Sequence, residues 1–134
     1  MHEVVAALIV QSQRILLGKR AEARKLYPNV WDMPGGHVEP GEEPERTLVR
    51  ELQEELDITP TQWTFLETLT FSLPTLPPAR MTVHLYRVSA WTGTPVNRQP
   101  EEHSAIGWFS LAQAAQLSLA DPSYPMLFER YLEL

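Results

Sequence analysis

The spacing of apolar residues in one segment predicts an amphipathic helix, and this helix limits the possible folds more than any other part of the sequence. Leu48, Leu52 and Leu56 recur at every fourth position, so on a helix they form a single apolar stripe. Pro44 suits the first turn of such a helix, and Pro60 requires that the helix has ended before it. A chain with this segment must fold so that one helix packs its leucines against another layer of structure.

The same predicted helix carries three glutamates on a second face. Glu51, Glu54 and Glu55 stand at i, i+3 and i+4, so their carboxylates project from one side. Each close like-charge pair costs about 0.2–0.5 kcal/mol on a solvated helix, and Arg50 relieves part of this repulsion. A bound divalent cation would relieve the rest, and such oxygen ligands suit Mg²⁺ or Mn²⁺. An isolated pattern of this kind is more typical of a solvated acidic face.

A glycine pair ahead of the helix favours the metal-site interpretation. Pro34, Gly35 and Gly36 form the strongest turn signal in the chain. Because glycine allows the backbone to approach closely, the carbonyl of Gly35 or Gly36 could reach the cation that the glutamates hold. Without the glutamates, the double glycine would predict only a tight turn.

The rest of the chain predicts an α/β domain with a mixed sheet and helices on both of its sides. Two apolar runs, 3–10 and 14–19, form a predicted hairpin, and residues 21–29 are polar and loop-like. No linker or repeat divides the sequence, which predicts a single domain over residues 1–134. The other predicted elements are strands at Val30–Trp31, Thr64–Ser72, Met81–Ala90 and Ile106–Phe109, and helices at Leu111–Leu117 and Tyr124–Leu132.

Composition restricts the functions open to such a domain. The net charge of −6 argues against a nucleic-acid-binding surface, and an acidic protein needs cations to contact a phosphorylated substrate. The absence of cysteine excludes a disulfide framework, a thiolate metal site and a cysteine nucleophile. The apolar run Val4–Val10 is too short to span a membrane, and no basic region precedes it as in a secretion signal. We therefore predict a cytoplasmic protein with no membrane or nucleic-acid partner.

The glycine turn and the acidic helix together resemble the Nudix box, G-x5-E-x7-R-E-U-x-E-E-x-G-U, where U is aliphatic. The matching positions are Gly36, Glu42, Arg50, Glu51, Leu52, Glu54, Glu55 and Ile58. The last glycine of the motif is Asp57 here, and aspartate tolerates the left-handed conformation that ends such a helix. The resemblance also covers most of the remaining chain, through Leu17–Arg20, Trp31–Gly36 and Glu101–His103 before Trp108.

Membership of the Nudix family would imply an α/β/α sandwich and metal-dependent hydrolysis of a phosphoanhydride bond. Arg50 is then expected to orient Glu54 through a charge-assisted hydrogen bond. Glu42 is expected to have a supporting role, in which it ties the loop to the start of the helix. The metal ligands that the resemblance implies, for Mg²⁺ or Mn²⁺, are Glu51, Glu54, Glu55 and the carbonyl of Gly35 or Gly36.

Two carboxylates are candidates for the general base that takes the proton from the attacking water. One is Glu51, within the box. The other is Glu102, which precedes Trp108 by the spacing found in similar enzymes, with Glu101 as its close competitor. Either residue of this later pair also fits an ordinary solvated loop position.

The expected partner is a small nucleotide, bound by a monomer or a homodimer. Arg20 and His37 are candidate contacts for its phosphates, although a surface arginine and a structural histidine explain them equally well. Chain length and strand pattern favour a nucleoside triphosphate, including an oxidised one such as 8-oxo-dGTP, with a nucleoside monophosphate as product. ADP-ribose, dinucleoside polyphosphates and a catalytically silent nucleotide sensor are the alternatives.

Overall fold

A computed structural model of the protein describes residues 2–132, in which it has seven strands and three helices. The strands are β1 (His2–Gln11), β2 (Arg14–Arg20), β3 (Trp31–Asp32), β4 (Gly35–His37), β5 (Thr59–Leu73), β6 (Ala79–Thr92) and β7 (His103–Phe109). The helices are α1 (Pro44–Leu56), α2 (Leu111–Ala114) and α3 (Tyr124–Leu132).

The sheet is mixed and has the strand order β3-β2-β1-β6-β5. Strands β1 and β6 run parallel, whereas the other pairs are antiparallel. The predicted hairpin of β1 and β2 forms, but the two strands pair only beside their turn, at Val10 with Ile15 and Gln11 with Arg14. Further from the turn, β1 pairs with β4 and β2 pairs with β7, so the two strands of the hairpin diverge.

Strand β1 is buried on both faces because a helical layer covers each side of the sheet. Val5, Ala7 and Ile9 share a core with the leucine stripe of α1. The alternate residues Val4, Ala6 and Leu8 pack in a second core with Leu127 and Phe128 of α3. A continuous apolar run is what a strand buried on both faces requires. The predicted α/β/α sandwich with a central mixed sheet is thereby confirmed.

Two predicted elements differ from the structure. Residues 34–36 were predicted to form a tight turn, but Gly35–His37 is strand β4, antiparallel to β1. Gly35 has to be a glycine there, because a Cβ would overlap the carbonyl of Val5. Helix α2 ends at Ala114 rather than at Leu117. The following chain instead runs beside β3, where Ser118 accepts a hydrogen bond from the Trp31 N–H at 2.8 Å.

The three later strands are longer than their sequence patterns predict. β5 begins at Thr59, so that Pro60 lies inside it. A proline is tolerated because β5 forms one edge of the sheet, where a missing N–H breaks no ladder on the outer side. None of the helices in residues 2–132 is long and apolar enough to cross a lipid bilayer.

Candidate active site

Helix α1 ends in the backbone conformation predicted at Asp57. This residue is left-handed, with φ 58° and ψ 36°, and its N–H donates to the carbonyls of Gln53 and Leu52. Gly93 packs close behind it, since a Cβ on Gly93 would lie 2.8 Å from the Asp57 carbonyl oxygen. The substitution in the Nudix-box pattern therefore leaves the helix terminus intact.

The three glutamates of α1 lie in graded environments. The leucine stripe of the helix is buried against the sheet, with Leu48 and Leu52 fully inaccessible. Beside it, the side chain of Glu55 is 8 % exposed, that of Glu51 is 14 % exposed and that of Glu54 is 50 % exposed. The acidic face thus runs from the sheet surface outward to solvent, as a helix with adjacent apolar and acidic stripes requires.

Glu55 is a buried carboxyl with one direct hydrogen bond to the chain before the helix. Its Oε2 accepts from the Gly35 N–H at 3.0 Å. Burial raises the pKa of the Glu55 carboxyl well above its usual value, and the Gly35 N–H offsets part of that rise. A group in this position gains most from a nearby positive charge, because the charged form has lost its water.

Glu51 lies directly against the backbone of β4. A Cβ on Gly36 would lie 2.5 Å from Oε2 of Glu51 and closer still to its carboxyl carbon. Burial raises the pKa of Glu51, and the Arg50 guanidinium, whose Nη1 donates to Oε1 at 2.9 Å, offsets this effect. A side chain at position 36 would therefore displace the Glu51 carboxylate.

Arg50 has a different main partner from the one predicted. Its Nε and Nη2 donate to the two oxygens of Glu42, at 2.9 and 3.0 Å, in a bidentate pair. Nη1 donates to Glu51 at 2.9 Å and to Glu54 at 3.4 Å, and Nη2 also reaches the carbonyl of His37 at 3.0 Å. Glu54, the residue that Arg50 was expected to orient, has the longest of these contacts.

Glu42 connects the loop, the helix start and Arg50. Besides the guanidinium, its Oε1 accepts from the Thr47 hydroxyl at 2.6 Å and from the Glu39 N–H at 3.1 Å. These partners favour the ionised form, and the Arg50 guanidinium above all lowers the pKa of Glu42 to about 2. The contacts are those of the supporting role that the sequence predicts.

The register of β4 distinguishes the two glycine carbonyls. Ala7 donates to the carbonyl of Pro34, and Val38 donates to the carbonyl of Glu3. Hydrogen-bonded and non-bonded pairs alternate in an antiparallel ladder. The backbone N–H and C=O of Gly36 therefore bond to β1, whereas those of Gly35 point away from β1. The Gly35 N–H accordingly reaches Glu55, and its carbonyl is the one left outside the ladder.

The loop that directly precedes β7, here called the late loop, contains Glu101 and Glu102 and brings Glu102 close to the acidic face of α1. The negative charge of Glu102 contributes to the raised pKa of both Glu51 and Glu55. Its backbone is fixed by a hydrogen bond from the Ala21 N–H at 2.9 Å, and its Oε1 lies 3.7 Å from Arg24. Glu101, one residue earlier, is exposed.

The two predicted phosphate contacts, Arg20 and His37, have protein partners in the structure. The Nε and Nη2 of Arg20 donate to the carbonyl of Leu26 at 3.0 and 2.8 Å, which holds the loop after β2. The ring of His37 is exposed and packs edge-on against His2, with 5.8 Å between centroids. Their predicted roles as phosphate contacts therefore stay predictions.

His103 is a site residue that sequence reasoning did not single out. Its Nε2 lies 3.9 Å from Oε1 of Glu55, and its side chain is 14 % exposed. In the sequence, this histidine appears only as the last residue of the Glu101–His103 segment, and no periodic pattern in β7 distinguishes it from its neighbours. Its proximity depends on the pairing of β7 with β2, which no local pattern specifies.

The acidic face fits a divalent cation in the chemistry of its donors. Glu51, Glu54, Glu55 and the Gly35 carbonyl supply hard oxygen atoms, which Mg²⁺ and Mn²⁺ prefer. In residues 2–132, however, no three carboxylate or imidazole groups converge on one point as a ready metal site. Arg50 pairs with Glu51 and Glu54 and so supplies the positive charge that these two carboxylates need.

Comparison with known proteins identifies the family of this chain. The family model of the NUDIX domain matches residues 1–130. The chain belongs to the Nudix family. It is 36 % identical to the CTP pyrophosphohydrolase of Escherichia coli over 128 residues, which cover 95 % of this chain and 89 % of that protein. It is also 36 % identical to the 8-oxo-dGTP diphosphatase of E. coli over 103 residues, which cover 75 % and 73 % of the two chains.

Solved structures agree with this assignment. A MutT Nudix hydrolase from Burkholderia pseudomallei superposes with a TM-score of 0.85, at 31 % identity and 97 % coverage of each chain. As a Nudix protein with pyrophosphohydrolase relatives, the chain is a hydrolase acting on phosphoanhydride bonds, as the sequence predicts.

Proposed function

We propose that this Nudix hydrolase cleaves a nucleoside triphosphate into a nucleoside monophosphate and pyrophosphate. The observation that carries the proposal is a pair of carboxyls, the buried Glu55 and the partly buried Glu51, held against the Gly35–Gly36 backbone. Two relatives that match most of this chain are a CTP pyrophosphohydrolase and an 8-oxo-dGTP diphosphatase, which supports a free nucleotide as the substrate. An oxidised nucleotide such as 8-oxo-dGTP is included in this class.

Glu51, Glu54, Glu55 and the Gly35 carbonyl would hold the divalent metal, with Mg²⁺ or Mn²⁺ as the ion. When bound, such an ion lowers the pKa of water and neutralises charge that develops on the phosphoryl oxygens. The carbonyl of Gly36 is the poorer ligand, because the β1–β4 ladder engages it. Arg50 and Glu42 set the position of Glu51, since one guanidinium contacts both carboxylates.

Glu102 is the favoured general base. It lies near enough to Glu51 and Glu55 to act on their pKa values, and its side chain is 41 % exposed and so accessible to water. Glu51 is the alternative, but its Oε1 already accepts from Arg50, which reduces its capacity to accept a proton. In this scheme the Glu102 carboxylate takes the proton of the water that attacks phosphorus.

The test is a substrate panel with Mg²⁺ in which the products are identified by chromatography. CTP, 8-oxo-dGTP, the common nucleoside triphosphates, ADP-ribose and a dinucleoside polyphosphate are incubated with the parent protein. We expect a nucleoside monophosphate and pyrophosphate from at least one triphosphate. Release of product only from ADP-ribose or the dinucleoside polyphosphate would overturn the substrate class.

Two perturbations complete this experiment. Glu54→Gln should abolish most turnover, whereas Glu129→Gln, an exposed change on α3, should leave it unchanged. EDTA should stop the reaction and added Mg²⁺ should restore it. If the parent turns over no substrate yet its unfolding temperature rises with nucleotide, the protein is a sensor rather than an enzyme.

A further inference from the structure

The carboxylate of Glu55 is approached from two directions by two different polar groups. Its Oε2 accepts from the Gly35 N–H at 3.0 Å, and its Oε1 lies 3.9 Å from Nε2 of His103. In the part of the chain that the structure describes, these are the polar contacts of this side chain. The 3.0 Å contact is a hydrogen bond, whereas at 3.9 Å the imidazole is a close neighbour of Oε1. Rotation of the carboxylate plane would weaken the hydrogen bond or press Oε1 against the ring.

The imidazole ring of His103 is itself held by neighbouring strands. His103 begins β7 and pairs with Arg20 of β2, next to a register shift between Lys19 and Arg20. The Asn97 side-chain amide donates to the His103 carbonyl at 2.7 Å. The ring lies over Gly18, where a Cβ would come within 2.9 Å of Cδ2. A ring packed in this way has little freedom to swing away from Glu55.

We propose that His103 is a positioning residue that fixes the orientation of the Glu55 carboxylate for metal binding. The inference rests on the proposed function, in which Glu55 is a metal ligand. A ligand held in one orientation before the metal arrives loses less conformational freedom on binding, so the affinity is higher. Groups that orient a metal ligand typically contribute about 10- to 100-fold to metal affinity or activity.

His103 also lies between the late loop, which carries Glu102, and the acidic face of α1. Glu102, the favoured base, directly precedes His103, and both backbones are fixed by hydrogen bonds to neighbouring loops, from Ala21 and Asn97. The backbone ties this segment to α1 as well, because the Arg98 N–H donates to the Glu55 carbonyl at 2.9 Å. These hydrogen bonds hold the His103 ring beside the Glu55 carboxylate.

The experiment measures Mn²⁺ affinity without nucleotide, by electron paramagnetic resonance of the free ion. His103→Leu removes the polar ring, whereas His103→Gln keeps a side-chain N–H. His84 provides a matched control, since it is also partly buried, at 17 % exposure, and bonded to a glutamate, with Nε2 2.7 Å from Glu3. Its two equivalent variants, His84→Leu and His84→Gln, are measured in parallel.

We expect His103→Leu to bind Mn²⁺ about 10-fold more weakly or worse, and His103→Gln to recover most of that loss. Gly18→Ala should also weaken binding, because the added methyl displaces the ring without changing its chemistry. Both His84 variants should bind Mn²⁺ as the parent does. Unfolding temperatures of the Leu and Gln variants at position 103 should agree, so that stability does not explain the difference.

The inference is overturned if His103→Leu binds Mn²⁺ as tightly as the parent, if Gln at this position is no better than Leu, or if the His84 variants lose as much affinity. Each of these results leaves the proposed function intact, provided that the parent binds Mn²⁺ and hydrolyses nucleotide. A parent that binds no Mn²⁺ and releases no product would overturn the proposed function and, with it, the role of His103.

Discussion

Replacement of Gly36 by alanine should separate catalysis from stability. The added Cβ would lie 2.5 Å from Oε2 of Glu51, against an ordinary contact distance of about 3.5 Å. The Glu51 carboxyl carbon lies closer still, so the carboxylate must move by more than about 1 Å, and a misplacement of about 1 Å can already lower a rate by about 100-fold. This corresponds to about 2.7 kcal/mol in the activation free energy.

The stability of Gly36→Ala should change little. Gly36 is not among the glycines with positive φ, so an alanine can adopt its backbone conformation. Substitutions of this kind are neutral or stabilise by up to about 1 kcal/mol through the unfolded chain. We expect kcat to fall about 100-fold while the unfolding temperature stays within about 4 °C of the parent.

Gly41→Ala is the matched control, with the opposite expectation. Gly41 has φ 79°, and a Cβ there would meet no atom within 4 Å. The strain of a left-handed alanine costs about 1–2 kcal/mol, which lowers the unfolding temperature by roughly 4–8 °C. Turnover should stay within about threefold of the parent, since the added methyl does not contact Glu51. The assignment of Gly36 to the Glu51 site is wrong if Gly36→Ala keeps full activity. It is also wrong if the loss of kcat is matched by an equivalent fall in the unfolding temperature.

Two further expectations concern carboxylates around the site. Because the folded protein lowers the pKa of Glu42 to about 2, below its usual 4.5, the stabilisation from this group is complete above about pH 4.5 and is lost as pH falls through 2. The difference in urea midpoint between the parent and Glu42→Gln should therefore be constant at neutral pH and shrink between pH 4.5 and 2; a constant difference down to pH 2 would contradict the Arg50 pairing. Glu102→Gln should lower kcat about 100-fold or more, with little change in KM, whereas Glu101→Gln should leave kcat within about threefold. Equal losses in stopped-flow or steady-state assays would remove the preference for Glu102.

Much of the site could be predicted because its chemistry is carried by one helix. The spacing of Glu51, Glu54 and Glu55 puts them on one face whatever surrounds them, and the leucine stripe determines which face is buried. The left-handed end at Asp57 was likewise predictable, since it depends on the conformational preference of one residue. These are local properties, and the structure confirms them.

Partners that come from distant segments could not be predicted in the same way. Arg50 was expected to orient Glu54, four residues away on the helix, but the fold also brings Glu42 into bidentate range of its guanidinium. The Pro34–Gly36 segment carries the composition of a turn, yet Gly35 and Gly36 form a strand. Glycine permits both conformations, so the neighbour, here β1, determines which one forms.

Local sequence patterns were enough to predict the amphipathic helix, its acidic face, the layered α/β architecture and the family. Each follows from patterns repeated within a few residues, where the period of a helix or strand fixes which side chains share a face. Two features of the site needed the three-dimensional fold: the glycine carbonyl that lies outside the ladder, and the position of the His103 imidazole beside Glu55. Those two facts depend on strand register, and a shift of one residue would turn every side chain of the strand to its other face.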